Sequence, residues 1–166
     1  SPYGGDDPNG PNQGDRHHWA VWAQFADYES YRDDHGRFIS EFGFASLPGR
    51  SLLKAAIPAS ERWLQSRTMQ VHDKVERGGG LARIAYYIFN NLPFAGGLDT
   101  FRYLSQVNQR RALVLAVEVW RRRKPLTQGA LFWQLNDCWP VSSWAVLDAA
   151  DAPKLAWQGR KSVVEG

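Results

Sequence analysis

Cysteine is almost absent from this chain. Cys138 is the single one in 166 residues, so neither an internal disulfide nor a cysteine-built zinc cluster can form, and the redox compartment stays open. Long hydrophobic runs are absent too: Arg, Lys, Asp or Glu interrupts every apolar stretch well short of the roughly 18 residues a membrane-spanning helix needs. The opening Ser1-Pro2-Tyr3 has neither an initiator Met nor the charged-then-apolar pattern of a targeting signal. Charge of one sign is not in excess, with 20 Lys+Arg against 17 Asp+Glu and a net charge of +3.

That small net charge hides an asymmetry, because residues 1–47 are net acidic and residues 48–166 net basic. The densest basic run, Arg121-Arg122-Arg123-Lys124, has no interleaved aromatics and closes a helical pattern. Cations there complement a helix dipole, so no nucleic-acid partner is expected. What the chain does have is aromatic content: 8 Trp, 6 Tyr and 8 Phe within 43% hydrophobic residues. Such a composition excludes intrinsic disorder and implies a packed interior or a surface that binds flat apolar faces. The length is one domain's worth.

Residues 1–16, rich in Gly, Pro and Asn, read as loop. The run Arg37 to Phe44 reads as a strand with Glu41 near its C-terminal end. A polar helical stretch is expected from Ser60 towards His72, stopped by Gly78-Gly79-Gly80. Leu81 to Asn90 reads as a compact helix. Asp99 is the expected N-cap of a long helix presenting Phe101, Leu104, Val107 and Leu115 and ending near Arg122. Gly129 to Leu135, nearly all apolar, reads as a strand buried on both faces. A last amphipathic segment runs from Pro153 to Val164, with Asp151 ahead of it as a cap. The alternation of strands and helices is that of an α/β fold.

Three clusters carry chemistry. A carboxylate at the end of an otherwise apolar strand costs several kcal/mol unless it is paired or used. Glu41 is therefore either salt-bridged, with Arg37 or Arg83 as partner, or part of an active site at a strand's C-terminal end. The segment Trp133 to Trp139 offers directional hydrogen bonds from Asn136 and Asp137 and indole faces on which sugar C–H groups pack. A core Trp beside an Asx turn accounts for it equally well. The third cluster is Gly14-Asp15-Arg16-His17-His18-Trp19 with Trp22. Its adjacent histidines lack the helical i, i+4 spacing with a carboxylate, so neither a metal nor any other cofactor is expected.

The motif Arg37-Phe38-Ile39-Ser40-Glu41-Phe42-Gly43-Phe44, then Leu47-Pro48, resembles the nucleophile strand of β-mannosidases in glycoside hydrolase family 2. Asp15, His17, Trp19 and Trp22 match that family's Gly-Asp-x-His-x-Trp-x-x-Trp segment. Tyr103-Leu104-Ser105-Gln106 with Gln109 is similar to the helix before its last strand. Gly129 to Pro140, then Ser143-Trp144 and Lys154, is similar to its Gly-x-Leu-Tyr-Trp-Gln-Leu-Asn-Asp-x-Trp-Pro block. The matches keep their order and span nearly the whole chain.

The resemblance implies that residues 1–166 are the C-terminal portion of a (β/α)8 TIM barrel, with Glu41 ending strand seven and Trp133 on strand eight. It implies a retaining exo-glycosidase acting on terminal β-D-mannosides, with Glu41 as nucleophile and Trp133 and Trp19 as walls of the sugar subsite. Asp15, His17, Asn136 and Asp137 match the pattern as further binding or loop-shaping residues. The family's acid/base, the Glu of an Asn-Glu pair on strand four, has no counterpart, since no Asn-Glu dipeptide occurs. Asp137 on the adjacent strand is a weaker substitute. A complete barrel takes about 250 residues, so an N-terminal barrel half and the preceding β-sandwich domains are the expected missing partners. The alternatives are a sibling β-galactosidase, β-glucuronidase or exo-β-glucosaminidase specificity, or a sugar-binding segment without turnover.

Overall fold

The computed structural model describes residues 7–75 and 78–164, with side chains up to Gly159. Three short parallel strands form its centre: β1 (Arg16–His18), β2 (Phe38–Phe42) and β3 (Gly129–Phe132), in the order β1-β2-β3. The registers pair His17 with Glu41, His18 with Phe42 and Phe42 with Phe132. The first strand starts at the end of the loop expected over residues 1–16, where the sequence suggests no strand. Three residues of Arg-His-His carry no apolar alternation, and the β2 ladder rather than propensity defines them.

Between β1 and β2 runs a four-residue turn, α1 (Ala20–Ala23), and a 3₁₀ segment at Tyr28–Asp33. The turn is broken inside by Trp22, whose φ is +78°. That conformation sends the indole into the core, where it stacks on Tyr87 at 6.2 Å while its backbone N–H donates to the Tyr87 hydroxyl. Trp22 is thus a core residue and not a wall of an open site.

The β2-to-β3 connection holds α2 (Arg50–Ala56), a 3₁₀ turn at Ala59–Glu61, α3 (Arg67–Val71), α4 (Gly79–Asn91) and α5 (Leu98–Arg122); α6 (Leu155–Val164) follows β3. The helix expected from Ser60 to His72 is split. Glu61 accepts from Thr68 N–H, and the Ser66 hydroxyl bonds the Glu61 carbonyl while capping α3 at Met69 N–H. Local side-chain partners thus replace one continuous helical ladder. The glycines stop nothing there: Gly78, at φ +73°, is the residue from which α4 starts.

Two expected caps move. Helix α5 starts from Gly97, and Asp99 lies in its first turn, facing Arg50 at 2.9 Å. Asp151 sits in a left-handed turn ahead of α6, and Asp148 organises that turn by accepting from the N–H groups of Ala150, Ala152 and Gly49. Strand β3 is also shorter than expected and is not buried on both faces. Ala130 and Phe132 pack on the core, whereas Leu131, Trp133 and Leu135 are exposed, because β3 is an edge strand with one face uncovered here.

The buried stripe of α5 differs from the apolar one expected. Leu104, Val107 and Leu115 are only partly covered, while Phe101, Ser105, Gln109, Ala112, Ala116 and Val119 face inward. Its Trp120 ring meets Phe42 edge-on at 4.7 Å. Trp120 Nε1 also donates to Asp34, which is paired with Arg16 at 2.6 Å. This buried link ties the helix to the loop that leads into β2. Among the described residues no helix is long and apolar enough to cross a membrane.

Candidate active site

Glu41 is the last residue but one of β2, partly exposed between the half-buried Ser40 and the core residue Phe42. Its carboxylate faces the other way, with the side chain about one fifth exposed. Neither Arg37 nor Arg83 pairs with it. The partners come from β1: His17 Nδ1 lies 3.0 Å from Oε2, and Trp19 Nε1 donates to the same Oε2 at 2.8 Å. The parallel register sets His17 beside Glu41, and Trp19, one residue past the end of β1, reaches the same oxygen. Oε1 carries neither of these bonds.

Trp133 stands on the far side of β2, immediately after β3. Its N–H donates to the Phe42 carbonyl at 2.6 Å, and its ring is 45% exposed. Gly43 lies between the two aromatic residues: a Cβ there would stand 2.2 Å from the Trp133 carbonyl oxygen and 3.1 Å from Trp19 Cη2. Only glycine lets the strand end pass beneath both. Glu41, His17, Trp19 and Trp133 are thereby assembled at the C-terminal ends of three parallel strands.

The remaining candidates lie elsewhere. Asp15 immediately precedes β1 and is half-buried. Asn136 is exposed and forms a bridge with Leu147. Asp137 is buried beneath the strand ends, where it accepts from Lys74 Nζ at 2.9 Å and from the Ser143 hydroxyl. Both its oxygens are thus held inside the protein. His18, unlike His17, is buried against Tyr31 and Asp34; burial holds its imidazole below the usual range, with Asp34 opposing. Among the described residues no three His, Cys, Asp or Glu side chains gather as metal ligands.

Two residues that the sequence motifs include without a role, Gln109 and Lys154, form the support under this site. Gln109 is fully buried on α5, and Lys154, at the start of α6, is 1% exposed. Burial pushes the Lys154 amine down to about 8, against the pull of Asp137 and Asp148. The signal available was a pair of glutamines and a serine on the inner face of a long helix, where apolar side chains are the rule. An apolar space lined by Phe42, Leu113, Phe132 and Ala156 lies behind the sheet and is separate from the Glu41 carboxylate.

No family model matches the chain. Its curated relatives include β-mannosidase B of Aspergillus flavus, 37% identical over 163 residues, which covers 95% of this chain and 19% of the relative. The β-mannosidase B of Thermothelomyces thermophilus is 37% identical over 169 residues, covering 95% of this chain and 20% of that protein. Among solved structures, a β-D-mannosidase from Dictyoglomus thermophilum superposes with a TM-score of 0.90 at 41% identity, covering 98% of this chain and 20% of that one. The exo-chitosanase of Amycolatopsis orientalis shares the fold at a TM-score of 0.67 and 22% identity, covering 98% of this chain and 19% of that one. The chain therefore spans about one fifth of the length of the relatives it matches.

A mixed α/β segment with a small parallel sheet, matching part of larger glycosidases, is a glycoside hydrolase segment. Within that class this chain is β-mannosidase-like, in agreement with its four motifs.

Proposed function

We propose that this chain is the C-terminal portion of a (β/α)8 barrel in a retaining exo-glycosidase that removes terminal β-D-mannosyl residues, with Glu41 as the nucleophile. The observation that carries the reading is the carboxylate of Glu41 at the C-terminal end of a central parallel strand, held through one oxygen by Trp19 and His17. The contacts on Oε2 orient the carboxylate and direct Oε1 to the anomeric carbon. Attack there forms a glycosyl-enzyme ester and expels the aglycone; water then hydrolyses the ester with retention.

Such a mechanism needs a second carboxyl group about 5–5.5 Å from the first as acid/base. Asp137, with both oxygens bonded beneath the strand ends, does not serve. The acid/base therefore belongs to an upstream strand of the barrel, together with the N-terminal barrel half and the β-sandwich domains that complete the enzyme. Trp133 and Trp19 form apolar walls for the C–H faces of the bound mannose, and Asp15 and Asn136 shape the rim. The relatives named β-mannosidase and the TM-score of 0.90 to one of them favour mannose over the sibling sugars.

The test is Glu41→Gly in the full-length protein carrying this segment, assayed with an aryl β-D-mannoside. Turnover should fall by at least about a thousandfold and return with azide as a mannosyl azide of inverted configuration. Near-normal turnover by the variant overturns the nucleophile assignment.

A further inference from the structure

The segments that follow β2 and β3 at their C-terminal ends are joined to each other. Ser46 and Ser143 exchange two backbone hydrogen bonds, of 2.9 and 3.1 Å. Ser46 ends a stretch from Glu41 in which residues 42–46 are all buried, so this stretch leaves Glu41 little independent movement. Ser143 belongs to the segment that leaves β3 through Trp133.

Two fully buried side chains from the helical layer close over this junction. Gln109 Nε2 faces the carbonyls of Phe44 at 2.8 Å, Trp144 at 3.0 Å and Ala145 at 3.2 Å, while its Oε1 accepts from the Ser46 hydroxyl at 2.8 Å. Lys154 Nζ donates to the Ser46 carbonyl at 3.3 Å and the Ser143 carbonyl at 3.4 Å. One side chain from α5 and one at the start of α6 thus each bond both segments. Neighbouring groups complete the frame: Ser105 Oγ accepts from Leu47 N–H, and Gln106 donates to the Leu47 carbonyl and accepts from Leu155 N–H.

A buried ammonium and a buried amide are expensive ways to fill space, and apolar residues of like volume would pack the same layer at lower cost. What they add is direction, because each bond fixes a carbonyl on one segment relative to a carbonyl on the other. We propose that Gln109 and Lys154 are positioning residues of the glycosidase site, fixing the segment after β2 against the segment after β3 and so setting the spacing of Glu41 and Trp133. The inference rests on the function proposed above. Neither side chain touches the sugar; both act through Ser46 and Ser143.

The experiment uses the full-length protein and normalises rates to active sites counted by trapping with a 2-deoxy-2-fluoro-mannosyl fluoride. A merely structural role changes how many sites titrate and leaves the rate per site alone. Lys154→Met should lower kcat per titrated site by about tenfold or more with KM within about threefold, since a misplacement of about 1 Å costs up to about a hundredfold. Should that variant not fold, Ser46→Ala removes only the hydroxyl that orients Gln109. It should lower the same rate by about two- to fivefold. Gln109→Glu, which keeps the volume but loses the donors, should behave like Lys154→Met. Unchanged rates per titrated site in the folded variants overturn the positioning role. The azide-rescued Glu41→Gly control separates the two readings: if Glu41 is essential and the Gln109, Lys154 and Ser46 variants keep the wild-type rate per titrated site, only the positioning inference falls.

Discussion

Trp19 Nε1 and Glu41 Oε2 are 2.8 Å apart, a bond made across neighbouring parallel strands by residues separated by 22 positions in sequence. In the proposed site the indole both flanks the sugar and holds the carboxylate still. Trp19→Phe keeps the flat apolar wall and deletes the donor. It should lower kcat/KM on an aryl β-D-mannoside about tenfold, the rate equivalent of one hydrogen bond to a charged group, with little change in thermal midpoint. Steady-state kinetics of the full-length protein check this, and a loss below about twofold removes Trp19 from the positioning of Glu41.

Gly43 has no room for a methyl group between Trp133 and Trp19. Gly43→Ala should cost about 1–3 kcal/mol through overpacking and should displace both indoles. Urea denaturation gives the first quantity. The second is read as reduced quenching of Trp fluorescence by mannose, and wild-type quenching in the variant refutes the close-approach argument.

Asp34, whose side chain is 1% exposed, accepts from Arg16 and from Trp120. Asp34→Asn leaves the Arg16 guanidinium nearly buried without its counter-charge. The expected loss is about 3–5 kcal/mol of stability, far more than for an exposed pair such as Arg32–Glu29. Thermal scans of Asp34→Asn and Glu29→Gln side by side test the contrast.

Lys154 titrates at about 8 in the folded protein against 10.5 for the ordinary amine, with desolvation as the main cause. The unfolded chain therefore binds the proton more tightly between these values, and stability supplied by this group rises with pH across that window. The charged groups facing the amine are Asp137 and Asp148, which favour its protonated form, and Lys74, which opposes it. Relative to Lys154→Met, the wild type should gain about 2–3 kcal/mol from pH 8 to pH 10. Above pH 10 Tyr31 and Tyr87, both of which burial raises, lower the stability of the two proteins alike and leave their difference unchanged. Denaturation curves that run parallel for the two proteins across this range contradict the assignment.

The legible parts of the chain were those with strong local chemistry. Glu41 stood out because a carboxylate among Ile39 and Phe42 requires a reason, and the helix of Leu81 to Asn90 because its period is clear. Strand β1 was not legible, since Arg16-His17-His18 becomes a strand only through pairing with β2. The inner face of α5 was misread for a related reason: Ser105 and Gln109 are buried by carbonyls of distant segments, and no local pattern announces those partners. Asp137 looked like a site residue by position, yet Lys74, 63 residues away, takes it inside.

Among the described residues no strand pairs with the outer edge of β3, beside which Leu131, Trp133 and Leu135 are exposed. In the proposed barrel this is the last strand, and its free edge meets the first. The polypeptide's earliest barrel strand then waits through synthesis of every other one before its own open side is covered. Closure of the ring thus becomes a late event, and a ribosome stalled before residue 129 would release a protein with an adhesive seam.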